Sequence, residues 1–462
     1  MKQNRIQLPA EADTAIRRLE GAGYEAWVVG GCVRDSLLGR TPNDWDIATA
    51  ALPEQIAETF SDCRLIETGR VHGTITVLID GVPLEITTYR NDGEYADHRH
   101  PIRVTFSKTL SEDLSRRDFT VNAMAYHPAR GIADPFDGRT DLSRRVIRCV
   151  GEPTRRFDED GLRILRAVRF SSVLGFSVEE QTALAVHQSA NLLSCIAPER
   201  IREEFCKLLC GAAATPVLRE FADVISVFLP EIQSCIGFEQ NSKYHCYDVY
   251  EHTLQSLSYA PTDLIVRLTV FFHDIGKPQC YTEDENGGHF RGHGAVGAQL
   301  AEQILHRLRF DRNTTERVTA LVTVHDQPLS AEPRSLKRLM RKFSDEDILR
   351  LLEVQRCDRL AHAEGYNCPP KVLEEIPDAL RKLREADACL SVKDLCVNGN
   401  DLMALGIPAG RRIGTLLNAL LEEVLEERLP NEREALLHTV QQWIRNHPES
   451  EGEGARKPEP NR

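Results

Sequence analysis

Four things are missing from this sequence: cysteine pairs at CxxC spacing, long apolar runs, an excess of positive charge and any internal repeat. The 13 cysteines sit singly, several among apolar neighbours as in Phe205-Cys206-Lys207-Leu208-Leu209-Cys210. That excludes a disulfide framework and predicts reduced, buried thiols in a cytoplasmic protein. No apolar stretch approaches the ~20 residues that span a bilayer, and the opening MKQNRIQLPAEAD lacks the apolar core of an export signal. Neither a membrane partner nor secretion is expected. The net charge of −13 excludes a generally basic, nucleic-acid-coating protein. It leaves room for local basic grooves. Between Arg144 and Arg169 eight arginines face four acids, and Arg334, Lys337, Arg338, Arg341 and Lys342 form a second cluster on a predicted helix, where a solvated face is the plainer reading.

What is present starts with ordinary globular composition, 41% hydrophobic and 27% charged over 462 residues, a length for roughly three domains. Within it lies Gly30-Gly31-Cys-Val-Arg34-Asp35, followed by Asn43-Asp44-Trp45-Asp46. On an extended segment Asp44 and Asp46 point the same way, and two like charges so close call for a divalent cation such as magnesium. Consecutive glycines let the backbone approach a bound group and offer N–H groups to a triphosphate. Glycines, an arginine, then a DxD is a layout suited to nucleotidyl transfer.

Around this motif the first ~150 residues mix strand and helix signals. Ala26–Val29 reads as a strand into the glycine turn, and Val71–Ile79 and Leu84–Tyr89 as an antiparallel hairpin turning at Gly81-Val82-Pro83, with Glu85 on its second strand. The polar stretch 91–103 predicts a mobile loop. After Gly151 helical periodicity takes over, through 158–175, 197–210, 246–259, 264–275, 294–309, 335–355 and 412–445. The expected architecture is α+β: an α/β head and a long helical body. The charged Gly/Pro-rich end predicts disorder.

Two further segments carry candidate chemistry. Arg116-Arg117-Asp118-Phe-Thr-Val-Asn122 offers donors for phosphate and polar groups for a ribose. In Asp158-Glu159-Asp160-Gly-Leu-Arg163-Ile-Leu-Arg166-Ala-Val-Arg169, helical spacing places Asp160, Arg163 and Arg166 on one face. Carboxylate beside guanidinium presents acceptor and donor together, as reading a Watson–Crick edge requires; intrahelical pairing is the alternative.

These four motifs, in this order, resemble those of class II tRNA nucleotidyltransferases, which add CCA and share a polymerase-beta-like head with bacterial poly(A) polymerases. Ala197-Pro198-Glu199-Arg200-Ile201-Arg202-Glu203-Glu204-Phe205 resembles the family's neck motif, which steadies the nucleotide-reading helix. The resemblance implies magnesium on Asp44 and Asp46 with Glu85 as third carboxylate. It implies the triphosphate on Gly31, Arg34 and Arg117, with Asp118 and Asn122 near the ribose. Asp160 and Arg163 would pair with the incoming base, and Arg166 and Arg169 would orient them or contact phosphate. The implied partners are CTP, ATP and the acceptor stem and 3′ end of tRNA. The implied reaction is in-line attack of the tRNA 3′-hydroxyl on the α-phosphate with loss of pyrophosphate, by two-metal-type transfer.

In the helical body, His252, His273-Asp274, His293, His325 and Asp358 fall on successive predicted helices, facing inward, a ligand set suited to a transition metal or magnesium. This resembles the HD-domain phosphohydrolases. It implies one metal on His252, His273, Asp274 and Asp358, support for a second from His293 and His325, and manganese, nickel, iron or magnesium as the ion. The expected divisions are a head over 1–150, a neck over 151–240, an HD-type domain over 241–362, a tRNA-binding region over 363–447 and a disordered tail over 448–462. Poly(A) polymerase and A-only addition are the near alternatives. Gly69-Arg70-Val71-His72-Gly73-Thr74 resembles the CCA-adding form of the hairpin, and the loop at 91–103 stands against CC-only addition. An HD phosphohydrolase with an RNA-binding head is the alternative from another class.

Overall fold

The structure, a computed structural model, describes residues 5–92, 104–285, 287–386 and 389–446. It divides into two compact units, Met1–Thr323 with Ala361–Glu364, and Val324–Leu360 with Gly365–Arg462.

In the first unit a seven-stranded mixed sheet is ordered β3-β4-β5-β2-β1-β8-β9. Its strands are β1 (Ala26–Val29), β2 (Ile47–Thr49), β3 (Arg64–Ile66), β4 (Thr74–Ile79), β5 (Val82–Thr88), β8 (Ala125–His127) and β9 (Gly131–Ala133). The β-branched alternation of 74–79 buries Ile75, Val77 and Ile79 on one face. The hairpin forms as the pattern predicts, but its turn is Asp80-Gly81, both at positive φ, with Val82 and Pro83 already in β5. Asp-Gly is the favoured pair for such a two-residue turn because both positions need φ > 0. β5 then lies parallel to β2, Ile86 opposite Ile47. Two short strands, β6 (Arg90–Asp92) and β7 (Val104–Phe106), pair antiparallel. Residues 93–103, the greater part of the expected mobile loop, lie outside the described residues, as does the tail 448–462.

Helices dominate thereafter. The periodicity over 158–175 resolves into two, Pro153–Glu159 and Leu162–Leu174, broken at Asp160-Gly161. Asp160 is therefore extended backbone before the second helix, not part of a helical face with Arg163 and Arg166 as the spacing predicts; its carboxylate instead accepts from the Leu162 N–H of the new helix. Glycine lowers helix propensity at this point, and a Cβ on Gly161 would press on Leu192 at 3.1 Å. Helix Pro198–Leu209 packs beside Leu162–Leu174, with Phe205, Leu208 and Leu209 buried. Val249–Ser258, Leu264–Phe272, His293–Arg307 and Arg312–Val324 follow. At Gly276 a Cβ would lie 2.4 Å from the His293 carbonyl, so only glycine lets the 273–276 turn meet that helix.

The second unit is helical, with one core on Leu336, Met340, Ile348, Leu352, Leu373, Ile376 and Leu380 and another on Leu402, Leu420, Leu421, Leu425, Leu436 and Val440. The periodic stretch 335–355 splits into Pro333–Lys342 and Asp345–Leu360, where Ser344 caps the second helix by accepting from Asp347 N–H. Likewise 412–445 splits into Arg411–Leu425 and Arg433–Asn446 around Pro430. No described helix is long and apolar enough to cross a membrane.

Candidate active site and histidine cluster

Asp44 and Asp46 lie on the extended lead-in to β2, fixed where the Asp46 carbonyl accepts from Val29 N–H at 3.0 Å. Because Ile47 and Ile86 are register partners on parallel strands, Asp46 and Glu85 stand side by side, and Glu85 alternates outward between buried Leu84 and Ile86. The Asp46 carboxyl is held above its ordinary value. Partial desolvation raises it, Arg117 pulls it down, and the charges of Glu85 and Asp44 push it up again. Glu85 and Asp44 thus both act on Asp46, which fits a site for a hard divalent cation.

Gly30 makes the adjoining turn at φ 80°, and its N–H donates to the Met124 carbonyl at 3.0 Å. That donor is consequently spent on the fold. The missing side chain is what matters, because a Cβ here would lie 2.8 Å from Arg117 Nη1. Arg117 and Arg116 are both anchored on buried Asp113, at 3.3 and 2.7 Å. Arg34, one turn into the helix Gly31–Leu37, donates from Nη1 to Asn122 Oδ1 at 2.5 Å and from Nε and Nη2 to the Asp35 carboxylate, both at 2.9 Å.

From Asn122 a chain of polar contacts runs into the neck. Asn122 Nδ2 donates to Asp118 Oδ1 at 3.0 Å, and Arg166 grips Asp118 Oδ2 through Nε and Nη2 at 2.9 and 2.6 Å. Burial pushes the Asp118 carboxyl up, but Arg166 and the hydrogen bonds from Asn122 and Phe119 N–H outweigh it, holding the group well below the carboxylate range. Arg169 donates to Glu204 Oε2 at 2.8 Å, and Arg34, Arg166 and Arg169 surround the Phe170 ring, Arg169 closest at 3.5 Å from its centroid. Asp160 accepts from Arg200 Nη1 and Nη2 at 3.3 and 3.0 Å. Arg163 donates to Glu159 at 2.7 Å and to the Arg156 and Arg116 carbonyls at 3.0 and 3.1 Å. Arg163 and Asp160 therefore each hold protein partners here, and a base reading either must share or displace them.

The second cluster gathers around Asp274, at the end of the apolar helix Leu264–Phe272. His252, His273 and Asp274 are 0, 1 and 1% exposed. Nε2 of His252 and of His273 lie 3.5 and 3.2 Å from Asp274 Oδ2, and Nε2 of His293 lies 3.4 Å from Oδ1. The Nδ1 atoms of His273 and His293 sit 2.6 and 2.8 Å from the Val270 and Phe290 carbonyls. Carbonyls only accept, so those nitrogens carry protons and a neutral ring turns its Nε2 lone pair toward Asp274. Lone pairs facing a carboxylate need a positive centre between them, either an imidazolium proton or a metal, and the backbone-anchored Nδ1 is the orientation metal-bound histidines take. Burial depresses His293, but Asp274 outweighs it and raises the ring's pKa, while His273 and Lys277 help hold Asp274 well below the carboxylate range against burial. Two other members of the proposed ligand set, His325 and Asp358, belong to the second unit.

Some participants carry little sequence signal. Arg200 stands in the neck motif, but nothing in its spacing points to Asp160, forty residues away. Lys277 follows His273-Asp274 by a few residues, and its Nζ meets Asp274 Oδ2 at 2.6 Å. His245 and His362 lie against His252, with ring centroids 4.9 and 5.7 Å from it. His245 precedes His252 by seven residues but lies in the loop before helix Val249–Ser258, so helical spacing gave no hint of it. His362 had none either.

The basic cluster at 334–342 is a helix face, as predicted, but it is paired rather than merely solvated. Arg334 and Arg338 contact Glu426, Lys337 contacts Glu427 at 2.9 Å, and Arg341 contacts Glu422 at 2.5 Å.

Comparison with known proteins bears on the whole chain. Residues 26–148 match the model of the Poly A polymerase head domain, 175–235 that of the probable RNA and SrmB-binding site of polymerase A, and 295–440 that of tRNA nucleotidyltransferase domain 2. The CCA-adding enzyme of Lactobacillus delbrueckii subsp. bulgaricus is 52% identical over 211 residues, a match spanning 46% of this chain and about half, 53%, of that one. The CCA-adding enzyme of Limosilactobacillus fermentum is 33% identical over 443 residues, 95% of this chain and 98% of the relative. The crystal structure of the Bacillus stearothermophilus CCA-adding enzyme in complex with CTP superposes with a TM-score of 0.70 at 31% identity, covering 96% of this chain and 99% of that one. A likeness running almost end to end in sequence and in fold places this chain in the family of CCA-adding enzymes.

Proposed function

We propose that the protein adds CCA to the 3′ end of tRNA from CTP and ATP without a nucleic-acid template, releasing pyrophosphate. The observation that carries this reading is the parallel pairing of β2 with β5, which sets exposed Glu85 beside exposed Asp46, a carboxyl that Glu85 and Asp44 both push up. Those carboxylates would hold magnesium, which when bound activates the 3′-hydroxyl and neutralises charge on the triphosphate. Arg117, lying over the Gly30 turn, and Arg34 supply guanidinium charge for the triphosphate beside Gly31. Asp118 and Asn122 set polar groups for the ribose. Asp160 and Arg163 present the acceptor and donor for the base edge, which stands in for a template. Arg166 on Asp118 and Arg169 on Glu204 act by orientation, tying the reading helix to the sugar-contacting turn and to helix Pro198–Leu209.

The test is direct. Purified protein is given tRNA transcripts lacking CCA, ending in C or ending in CC, and an unrelated RNA, with CTP and ATP singly and together. Ordered addition stopping at CCA supports the reading. Long A tails on any RNA would assign poly(A) polymerase, and growth only of the CC-ended transcript would assign A-only addition.

The histidine cluster favours a second reading, an additional metal-dependent phosphohydrolase activity. His252, His273, Asp274 and His293 would hold a transition metal, because nitrogen and carboxylate donors converge with their lone pairs already aimed inward. Metal content of the purified chain, with and without Asp274→Asn, tests it; equal content in both rejects it.

A further inference from the structure

Asp113 is fully buried in the short helix Leu110–Ser115, and a carboxylate so enclosed is costly unless it is paired. Arg116 reaches its Oδ1 through Nε and Nη2 at 3.1 and 2.7 Å, Arg117 Nη2 reaches Oδ2 at 3.3 Å, and the Arg90 N–H points at Oδ1 from 3.4 Å. Burial pushes the carboxyl up, but the charges of Arg116 and Arg117 and the hydrogen bonds from Arg116 and Arg90 N–H outweigh it and hold it below its ordinary value. It is therefore ionised at neutral pH. Consecutive side chains diverge unless something gathers them. Three and four residues on from Asp113, Arg116 and Arg117 both turn back to one carboxylate.

The two oxygens lead to different parts of the nucleotide pocket. Oδ2 holds Arg117, the cation over the Gly30 turn. Arg117 Nε is buried without a partner, and the bond to Asp113 is the one side-chain hydrogen bond Arg117 makes among the described residues. Its direction consequently hangs on that carboxylate. Oδ1 holds Arg116, whose own carbonyl accepts from Arg163 Nη2 at 3.1 Å. One buried group thus stands behind the arm assigned to the triphosphate and, one residue removed, behind the arm assigned to the base.

We propose that Asp113 is a positioning residue of nucleotidyl transfer, holding the phosphate arm, Arg117, and the base-reading arm, Arg163, in one fixed relation. This rests on the reading above and deepens it, adding a residue that touches neither the nucleotide nor the cation. Asp113 acts by orientation alone.

The test uses the full chain as wild type, Asp113→Asn, Arg116→Lys and, as a control on the exposed side of the same helix, Glu112→Gln. KM and kcat for CTP and ATP are measured on tRNA lacking CCA. Inhibition by inorganic tripolyphosphate, which has no base, reads the phosphate arm, and incorporation of UTP or GTP relative to CTP reads the base arm. An amide offers one oxygen to two guanidinium groups, so in Asp113→Asn one arm loses its acceptor and the other a charge-assisted bond. KM should rise about ten-fold for both nucleotides, tripolyphosphate should inhibit about ten-fold more weakly, and misincorporation should grow, while kcat changes less. Arg116→Lys gives up the two-point grip on Oδ1 and should raise misincorporation with tripolyphosphate inhibition as in wild type. Glu112→Gln should match wild type throughout. A lowered folded fraction reduces apparent kcat but not KM, so a fall in kcat alone in Asp113→Asn makes the residue a structural brace and overturns the proposal. Movement of only one arm in that variant overturns the common hold. Should Asp113→Asn fail to fold, wild-type selectivity in Arg116→Lys overturns it. A wild type that extends RNA with a sequence other than CCA overturns the CCA reading and leaves Asp113 to be judged on the same constants; one that extends no RNA overturns both.

Discussion

Asp44, Asp46 and Glu85 are exposed on and beside the central strands β2 and β5, with Glu85 and Asp44 both acting on Asp46, while Asp274 is enclosed by three histidines and Lys277. On the two readings proposed above, the contrast is between two kinds of phosphate chemistry. An open set of hard oxygens leaves coordination positions for a triphosphate and an RNA end, so its cation is shared with the substrate. An enclosed, imidazole-rich set fixes its own geometry through backbone carbonyls and can hold a softer ion without substrate. The first site therefore depends on what binds to it, and the second on the fold.

The largest effects should separate the two. Asp46→Asn removes one of the three carboxylates proposed to bind the cation and should lower nucleotide incorporation about a thousand-fold, leaving the metal content of the histidine cluster unchanged. Asp274→Asn should do the reverse, emptying the cluster while incorporation by the folded protein persists. If Asp46→Asn also emptied the cluster, or if folded Asp274→Asn lost incorporation, the two centres would not be independent.

A smaller effect sharpens the same contrast, because the head site also leans on one buried pair. Asp118→Asn leaves the Arg166 guanidinium without its close carboxylate, and about 3 kcal/mol of stability should be lost at neutral pH, read by urea unfolding. The sign with pH follows from the lowered folded-state pKa of Asp118. The pair's contribution is complete above the unfolded carboxylate value near 4 and is lost as pH falls toward the folded value. The difference between wild type and variant should hold from pH 5 to 8 and narrow below about pH 4. A difference independent of pH would mean that packing, not charge, sets the cost.

Third, Arg200→Ala frees Asp160 from its bidentate partner without touching the carboxylates proposed to hold the cation. If Arg200 positions the base-reading acceptor, KM for CTP and ATP should rise about ten-fold, misincorporation of UTP or GTP should increase, and kcat at saturation should change less. A fall in kcat alone, with selectivity intact, would reassign Arg200 to general support of the neck.

How far these sites could be read from the sequence depends on what each contact spans. The head strands were legible because alternation over 74–79 and 84–88 is a local signal, and Glu85 could be placed on its strand. That Glu85 sits beside Asp46 needed the parallel pairing of β5 with β2, which no local pattern encodes. Periodicity overran the helix breaks at Asp160-Gly161, Phe343-Ser344 and Pro430, since apolar spacing continues across a short break while backbone direction does not. His273 and Asp274 were visible as a dipeptide after an apolar helix. His362 was not, because its relation to His252 is purely tertiary.

The smallest expected effect concerns the second unit, where a basic helix face looks from sequence like a place for RNA phosphates. Arg334, Lys337, Arg338 and Arg341 meet Glu422, Glu426 and Glu427 instead. Such pairs, with Arg334 and Arg338 about half in solvent and Arg341 a third, contribute at most ~1 kcal/mol each and are screened by salt. Arg341→Ala should accordingly lower stability by less than ~1 kcal/mol, and should leave tRNA affinity and its salt dependence as in wild type. The competing assignment makes a different demand, because a phosphate-contacting arginine releases counterions. Its loss would weaken tRNA binding at every salt concentration and flatten the slope of log affinity against log salt by about one. A flattened slope for Arg341→Ala would show that the ion pairs open when tRNA arrives, making this face exchange protein carboxylates for RNA phosphates. An unchanged slope would confine the basic face to holding the Pro333–Lys342 helix against the acidic end of Arg411–Leu425.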